Sequence, residues 1–158
     1  MKGRKGDERQ YWLWVTRPDY YLEDDGSERE ALDPSYKVDR GICWTCHKDT
    51  RKGDLVFLWR TAPKCDIGYL LQAESDAYSI ADESWASEMG WDYGCDCLPL
   101  YKCRQPVTIQ DLHGEPSLQD WGAYKAHFRR RVHRIPFEYW IKLNQLAATK
   151  NPDYQTFL

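Results

Sequence analysis

Flat aromatic side chains and a run of arginines are the residues here whose types and spacing could do chemistry. Eight Trp and eleven Tyr far outnumber four Phe. Trp and Tyr join a large apolar face to a polar handle, which suits a pocket wall as well as a core. Trp44 stands in the middle of a short strand-like run, 41–46. Trp59 ends another, just before Thr61, and Trp85 and Trp91 fall in a polar stretch. Rings so placed could close on a nucleobase by stacking, worth about 1–3 kcal/mol per base. A base drawn out of a duplex needs such a pocket to offset its unstacking. The plain alternative is that the rings fill a core and its rim.

The cationic half of such a site is local. From Lys125 to Lys142 the chain carries Lys125, Arg129, Arg130, Arg131, Arg134 and Lys142 against one acid, Glu138, within a protein of net charge −3. His127 and His133 add possible donors. Three consecutive arginines cannot all lie on one side of a regular element. The segment therefore reads as a loop or strand edge facing a phosphate backbone, with a solubilising surface as the alternative.

The cysteines allow other chemistry. Cys43-Trp44-Thr45-Cys46-His47 matches the short C-x-x-C-H pattern of covalent haem attachment, which needs an exported protein, and no export signal is visible. A zinc site could pair Cys43, Cys46 or His47 with Cys95, Cys97 or Cys103. The second group is spaced C-x-C-x5-C, however, and Cys95 and Cys97 would share one strand face. Small apolar core filling is the simpler reading. No thioredoxin-like pattern surrounds Cys43 and Cys46 to make them a redox pair. No phosphate loop, nucleophile elbow or zinc-protease helix is present. No catalytic constellation, metal site or cofactor is expected.

The elements that must position these residues are mainly strands. A chain of 158 residues is long enough for one domain with its own core. Residues 11–16 and 55–60 are apolar without alternation, as is the run from Ile67 to Ala73, and such strands are covered on both faces. Lys52-Gly53-Asp54 is a turn, 41–46 a short strand and 94–103 a fifth strand. Residues 23–40 read as an acidic exposed excursion, and 77–93 as a long loop. Thr108 with Asp111 resembles a helix start, and 117–124 a further short helix. Pro136 opens a final helix with Phe137, Trp140 and Ile141 on one face and Leu143 and Leu146 close by. Residues 1–10 and 151–158 read as tails around one domain at 11–150. No apolar run reaches membrane-spanning length and the charged N-terminus is no leader, so a cytoplasmic protein with reduced thiols is expected.

The order of these motifs resembles the EVE domain. It runs Tyr11-Trp12-Leu13-Trp14-Val15, then the Trp44 strand, then Lys52-Gly53-Asp54-Leu55-Val56-Phe57-Leu58-Trp59, then Ile67-Gly68, then Pro106-Val107-Thr108 before short helices. EVE domains belong to the PUA-like superfamily and are similar in fold to YTH domains. The resemblance spans about residues 10–148. It implies an α+β fold, a mixed β-barrel with peripheral short helices, and a pocket for a modified base such as methylated cytosine or adenine in DNA or RNA. By likeness to the YTH cage, Trp44 would form one wall. Thr45 and Cys46 would border it, and Trp59 and Thr61 would precede the loop that covers it. Trp91, in the stretch 77–93, is a further ring expected to bind the ligand. The chain departs from the family at Thr16-Arg17-Pro18, where Ser-Glu-Pro is common, and in its cysteines.

The expected function is a non-enzymatic nucleic-acid reader, acting as a monomer away from membranes. In it Lys125, Arg129, Arg130, Arg131 and Arg134 hold the backbone and the aromatic pocket reads the base. Two rivals remain open. One is a PUA-like enzyme hydrolysing a modified nucleoside or small amide, which a Lys, Asp or Glu beside Trp44 would favour. The other is a zinc-stabilised interaction module.

Overall fold

The turn at Gly53 adopts φ +95°, a left-handed conformation that glycine takes without strain. It turns the buried Asp54 back on the chain. The Asp54 carboxylate accepts from the Gln10 amide at 3.1 Å, the Trp12 indole at 2.9 Å and the Arg51 amide at 3.0 Å. This one side chain therefore fixes the start of the first strand against the start of the third. The structure is a computed structural model and describes residues 8–35 and 42–155. Most of the expected N-terminal tail and part of the 23–40 excursion lie outside the described residues.

The strands are β1 (Tyr11–Thr16), β2 (Ile42–Thr45), β3 (Leu55–Arg60), β4 (Asp66–Ala73), β5 (Tyr78–Ser79), β6 (Tyr93–Thr108) and β7 (Val132–Arg134). They form one mixed sheet in the order β2-β6-β4-β3-β1-β7, with β5 added on β6. β1 runs parallel to β3, pairing Tyr11 with Leu55 through Thr16 with Arg60, and the remaining pairs are antiparallel. The sheet curls into a half-barrel, and the few helices are short apart from the last, an α+β fold. They are α1 (Pro18–Tyr21), α2 (Ser84–Met89), α3 (Ile109–His113), α4 (Gly122–Lys125) and α5 (Phe137–Lys150).

Every residue of β3 is buried, as its lack of alternation requires. Leu55, Phe57 and Trp59 join a core with Trp121, Phe128, Trp140 and Leu143, on the face that α5 covers. Val56 and Leu58 join Trp12, Trp14, Tyr21, Tyr69, Cys95 and Cys97 on the opposite face.

Several boundaries differ from the sequence reading. The stretch 77–93 holds β5 and α2, whose end is marked by Gly90 at φ +72°. β6 runs on to Thr108, its ladder to β4 interrupted by bulges that let a 16-residue strand bend. Residues 117–124 resolve into a 3₁₀ turn, Pro116–Leu118, and the separate α4. Thr108 and Asp111 form a full capping box, each side chain accepting the other's backbone amide. Pro136 caps α5 from outside the helix. The buried face of that helix is Trp140, Leu143, Asn144 and Ala147, while Phe137 is 50% exposed. Packing continues beyond residue 150, where Asn151 and Tyr154 are buried.

Candidate nucleic-acid interface

A cleft of about 460 Å³ is lined from both ends of the strand order. β2, at one end, supplies Trp44 and Thr45. The other end supplies Val15 and Thr16 at the close of β1, and Phe128 with Arg129, Arg130 and Arg131 leading into β7. Arg17 and Tyr20 come from the start of α1 after β1, and Thr61 from the turn after β3. Met89 and Trp91 come from the end of α2 and the residues after it. Four arginines line the cleft, and no Asp, Glu, Lys or His does so among the described residues.

The polar floor is held from below. The Thr61 amide donates to the Thr16 carbonyl at 2.9 Å, and the Tyr21 hydroxyl donates to the Thr61 carbonyl at 3.0 Å. Beneath Thr61 lies Arg60, 3% exposed. Its Nε and Nη2 donate to the two Asp66 carboxylate oxygens at 2.7 and 3.0 Å, and its Nη1 to Glu28. Tyr69 and Lys102 reach the other Glu28 oxygen at 3.0 and 2.7 Å. Burial pushes the Glu28 carboxyl up, but the Lys102 and Tyr69 hydrogen bonds and the Arg60 charge outweigh it and hold it at about 2. Gly68 makes room for this cluster: a Cβ there would meet Arg60 Nε at 2.5 Å. That is why glycine follows Ile67 in the motif. Asp66 and Gly68 are thus support for the cleft floor and not part of its surface.

Aromatic rings build one wall. Tyr20 and Trp91 lie with centroids 5.6 Å apart, and Trp85 meets Trp91 edge-on at 6.1 Å. Arg17 stacks over Tyr20 at 5.3 Å and donates to its hydroxyl at 3.1 Å. The floor hydroxyls make only long bonds within the protein, Thr16 Oγ1 to the Arg17 carbonyl at 3.5 Å and Thr45 Oγ1 to the Tyr93 carbonyl at 3.4 Å. Both retain capacity for a ligand.

Of the residues singled out in the sequence, Trp44, Thr45, Thr61, Trp91, Arg129, Arg130 and Arg131 come together at this cleft. The others stand elsewhere. Trp59 projects to the opposite side of β3, 5% exposed and 4.7 Å from the Phe128 ring, so it backs the cleft wall without lining it. Strand alternation puts Trp59 with Leu55 and Phe57 on the helix-covered face and Arg60 on the other. Cys46 is buried beside Cys95, on the inner face with Cys97, and does not line the cleft. Lys125 ends α4 as an exposed residue away from the lining. Arg134 lies on β7, stacked over Trp12 at 5.0 Å and 3.4 Å from Asp49. The sequence reading missed Tyr20, Arg17, Met89 and Phe128. Only Arg17 carried a signal, as the departure after β1. No group of three His, Cys, Asp or Glu able to hold a metal forms among the described residues. No helix among them is long and apolar enough to cross a membrane.

Neither a family model nor a curated protein matches the sequence. Solved structures do match. A protein of Rhodopseudomonas palustris is 19% identical with a TM-score of 0.67, over 92% of this chain and 99% of that one. The DUF55 domain of human thymocyte nuclear protein 1 is 13% identical with a TM-score of 0.62, over 86% and 98%. Human THYN1, in complex with DNA containing 5-methylcytosine, is 15% identical with a TM-score of 0.56, over 85% and 96%. An ASCH protein of Zymomonas mobilis, solved as a mutant, is 10% identical with a TM-score of 0.54, over 87% and 96%. At these identities the likeness establishes the fold alone, the α+β half-barrel with a few short helices described above.

Proposed function

We propose that this chain is an EVE-type reader that binds nucleic acid carrying a modified base, held in the cleft between β2 and the Phe128–Arg131 segment. The observation that carries the reading is the composition of that cleft. It joins Trp44, Tyr20 and Trp91, three threonines at the floor and four arginines, with no carboxylate among its described lining. Aromatic faces supply sequence-tolerant stacking, and arginines supply charge-assisted bonds to phosphate. In this reading Trp44 stacks on the base, Thr45 and Thr61 face its polar edge, and Arg129 and Arg130 meet the flanking phosphates. A similar fold in complex with DNA containing 5-methylcytosine supports the same class of ligand.

A hydrolase on the same scaffold would need a general acid or base beside Trp44, to activate a water or one of the threonine hydroxyls. The described lining offers no Lys, Asp, Glu or His there, which favours binding over hydrolysis. The test is a titration of oligonucleotides with one 5-methylcytosine, one N6-methyladenine or no modification against the protein and Trp44→Ala. Tighter binding of one modified form, lost in the variant, is expected. Equal affinity for all three forms, or no effect of the variant, sinks the reading.

A further inference from the structure

The cysteines of β2 and β6 are sorted by strand alternation. Cys43 stands exposed on the outer face, opposite Asp96, where the Tyr78 hydroxyl donates to its sulfur at 3.2 Å. Cys46 takes the inner face, so the Cys-x-x-Cys run is split across the strand. Trp44 sits opposite Cys95 in the ladder. Cys46 lies two residues beyond Trp44 on the same face, its amide donating to the Tyr93 carbonyl at 3.0 Å. Cys46 and Cys95 are therefore diagonal neighbours, and their thiols are hydrogen-bonded to each other. Both are buried in the core cluster against which Trp44 packs. Base binding as proposed above uses neither thiol.

From this juxtaposition we infer a modification site: Cys46 and Cys95 close into a reversible disulfide that shifts the Trp44 wall of the cleft. The bond itself follows from the strand register, and its effect on binding rests on the reader function proposed above. The two thiols differ as such a pair requires. The hydrogen bond from Cys95 favours the Cys46 thiolate and outweighs burial, whereas the same bond and burial keep Cys95 protonated. Cys46 is also the less enclosed, 7% exposed against 0%. The oxidant class is a hydroperoxide. The Cys46 sulfur attacks one peroxide oxygen, the O–O bond breaks, and the departing oxygen takes a proton from water. Cys46 is then a sulfenic acid. Cys95 attacks the Cys46 sulfur, forms the S–S bond and expels the hydroxyl, which leaves as water with the Cys95 proton. The two thiols lose two electrons and the peroxide gains them. A dithiol reductant reverses the change. Diagonal neighbours start with Cα atoms about 7–8 Å apart, and a disulfide needs about 4.4–6.8 Å. Closing the bond therefore draws the end of β2 towards β6. β2 is an end strand of the sheet order, so it can yield, and Trp44 and Thr45 move with Cys46.

The test treats the reduced full chain with hydrogen peroxide and maps its peptides without reduction by mass spectrometry. Cys46 linked to Cys95 is expected, with Cys97 and Cys103 still thiols. In Cys95→Ala, Cys46 should stop at the sulfenic acid and be trapped by dimedone, which a purely core-filling thiol would not do. Affinity for the modified oligonucleotide that the titration above selects should fall at least about fivefold, the low end of one stacked base, and return with dithiothreitol. Cys43→Ala should behave as the parent. Cys46 and Cys95 still present as thiols after peroxide overturn the inference, as does a link from Cys46 to Cys43 or Cys97. A Cys46–Cys95 bond that leaves affinity unchanged overturns its control of the cleft. If no disulfide forms while Trp44→Ala still abolishes binding, the reader function stands and this inference falls. If the disulfide forms and no oligonucleotide binds in either redox state, the reader function falls and the modification site stands.

Discussion

Arg131 is bonded to Met89 at the rim of the cleft: its Nη1 donates to the Met89 carbonyl oxygen at 3.0 Å. Its Nη2 donates to the neighbouring Gly90 carbonyl at 3.2 Å. These are orphan acceptors at the C-terminal end of α2, where a cation also meets the negative end of the helix dipole. The bond joins two segments 42 residues apart and fixes the approach to Trp91.

The three consecutive arginines therefore have unequal roles. Arg129→Ala and Arg130→Ala should each lower the slope of log affinity against log salt by about 0.7–0.9, the value for one phosphate contact on nucleic acid. Arg131→Ala should weaken binding with the slope retained, because it frees the Trp91 wall instead of removing a phosphate contact. Affinity measured over a series of salt concentrations separates the two. An equal fall in slope for all three would assign Arg131 to the phosphates as well.

Trp44 on β2 and Trp59 on β3, strands that β6 and β4 separate, should fail differently. Trp44 lines the cleft and is partly buried, whereas Trp59 is buried in the helix-covered core. Trp44→Ala is expected to lose about 1–3 kcal/mol of binding with the far-ultraviolet circular dichroism unchanged. Trp59→Ala is expected to lose about 3–5 kcal/mol of stability through the cavity it leaves. Its affinity should hold while the protein stays folded. Denaturant unfolding and ligand titration of both variants check this, and the reverse pattern would put Trp59 at the ligand.

The Arg60 cluster gives a pH dependence of definite sign. The Glu28 carboxyl is lowered from 4.5 to about 2 in the folded protein. Its contribution to stability is thus complete above about pH 4.5, and is lost as pH falls through 4.5 towards 2. Unfolding followed by denaturant at a series of acid pH values should show this loss, and Glu28→Gln should flatten it. Gly68→Ala, whose Cβ would press on the Arg60 guanidinium, should destabilise the fold by about 1–3 kcal/mol at all these pH values. An alanine variant as stable as the parent would show that Arg60 can move aside.

What the sequence made legible follows from which forces are local. The Lys52–Asp54 turn, the fully apolar β3 and the Thr108 capping box depend on neighbours within a few residues. Trp44 and the arginines were legible as residue types. That they share one cleft depends on the sheet order, which brings β2 and the Phe128–Arg131 segment together from opposite ends. Tyr20 was not legible, since nothing local distinguishes a tyrosine that will meet Trp91 from one that faces solvent. Trp59 misled because its position at a strand end was clear while the face it takes was not. In a strand buried on both sides, the pattern carries no inside and outside.

The same loss of a one-sided pattern governs α5, where Phe137, Trp140 and Ile141 seem equivalent by spacing. The structure separates them. Trp140 is fully buried, stacked on Tyr11 at 4.7 Å and tilted against Phe57 at 4.4 Å. Phe137 is 50% exposed and touches only the edge of this group, 5.5 Å from Tyr11. Trp140→Ala should therefore cost about 3–5 kcal/mol, removing the ring that joins α5 to both β1 and β3. Phe137→Ala should cost about 1 kcal/mol or less, the value of one aromatic pair. Denaturant midpoints of the two variants decide the point. Because α5 packs on the face opposite Tyr21 and Tyr69, which flank the cleft floor, a folded Phe137→Ala protein should bind as the parent does. Loss of affinity in that variant would mean that the two faces of the sheet are coupled through β1.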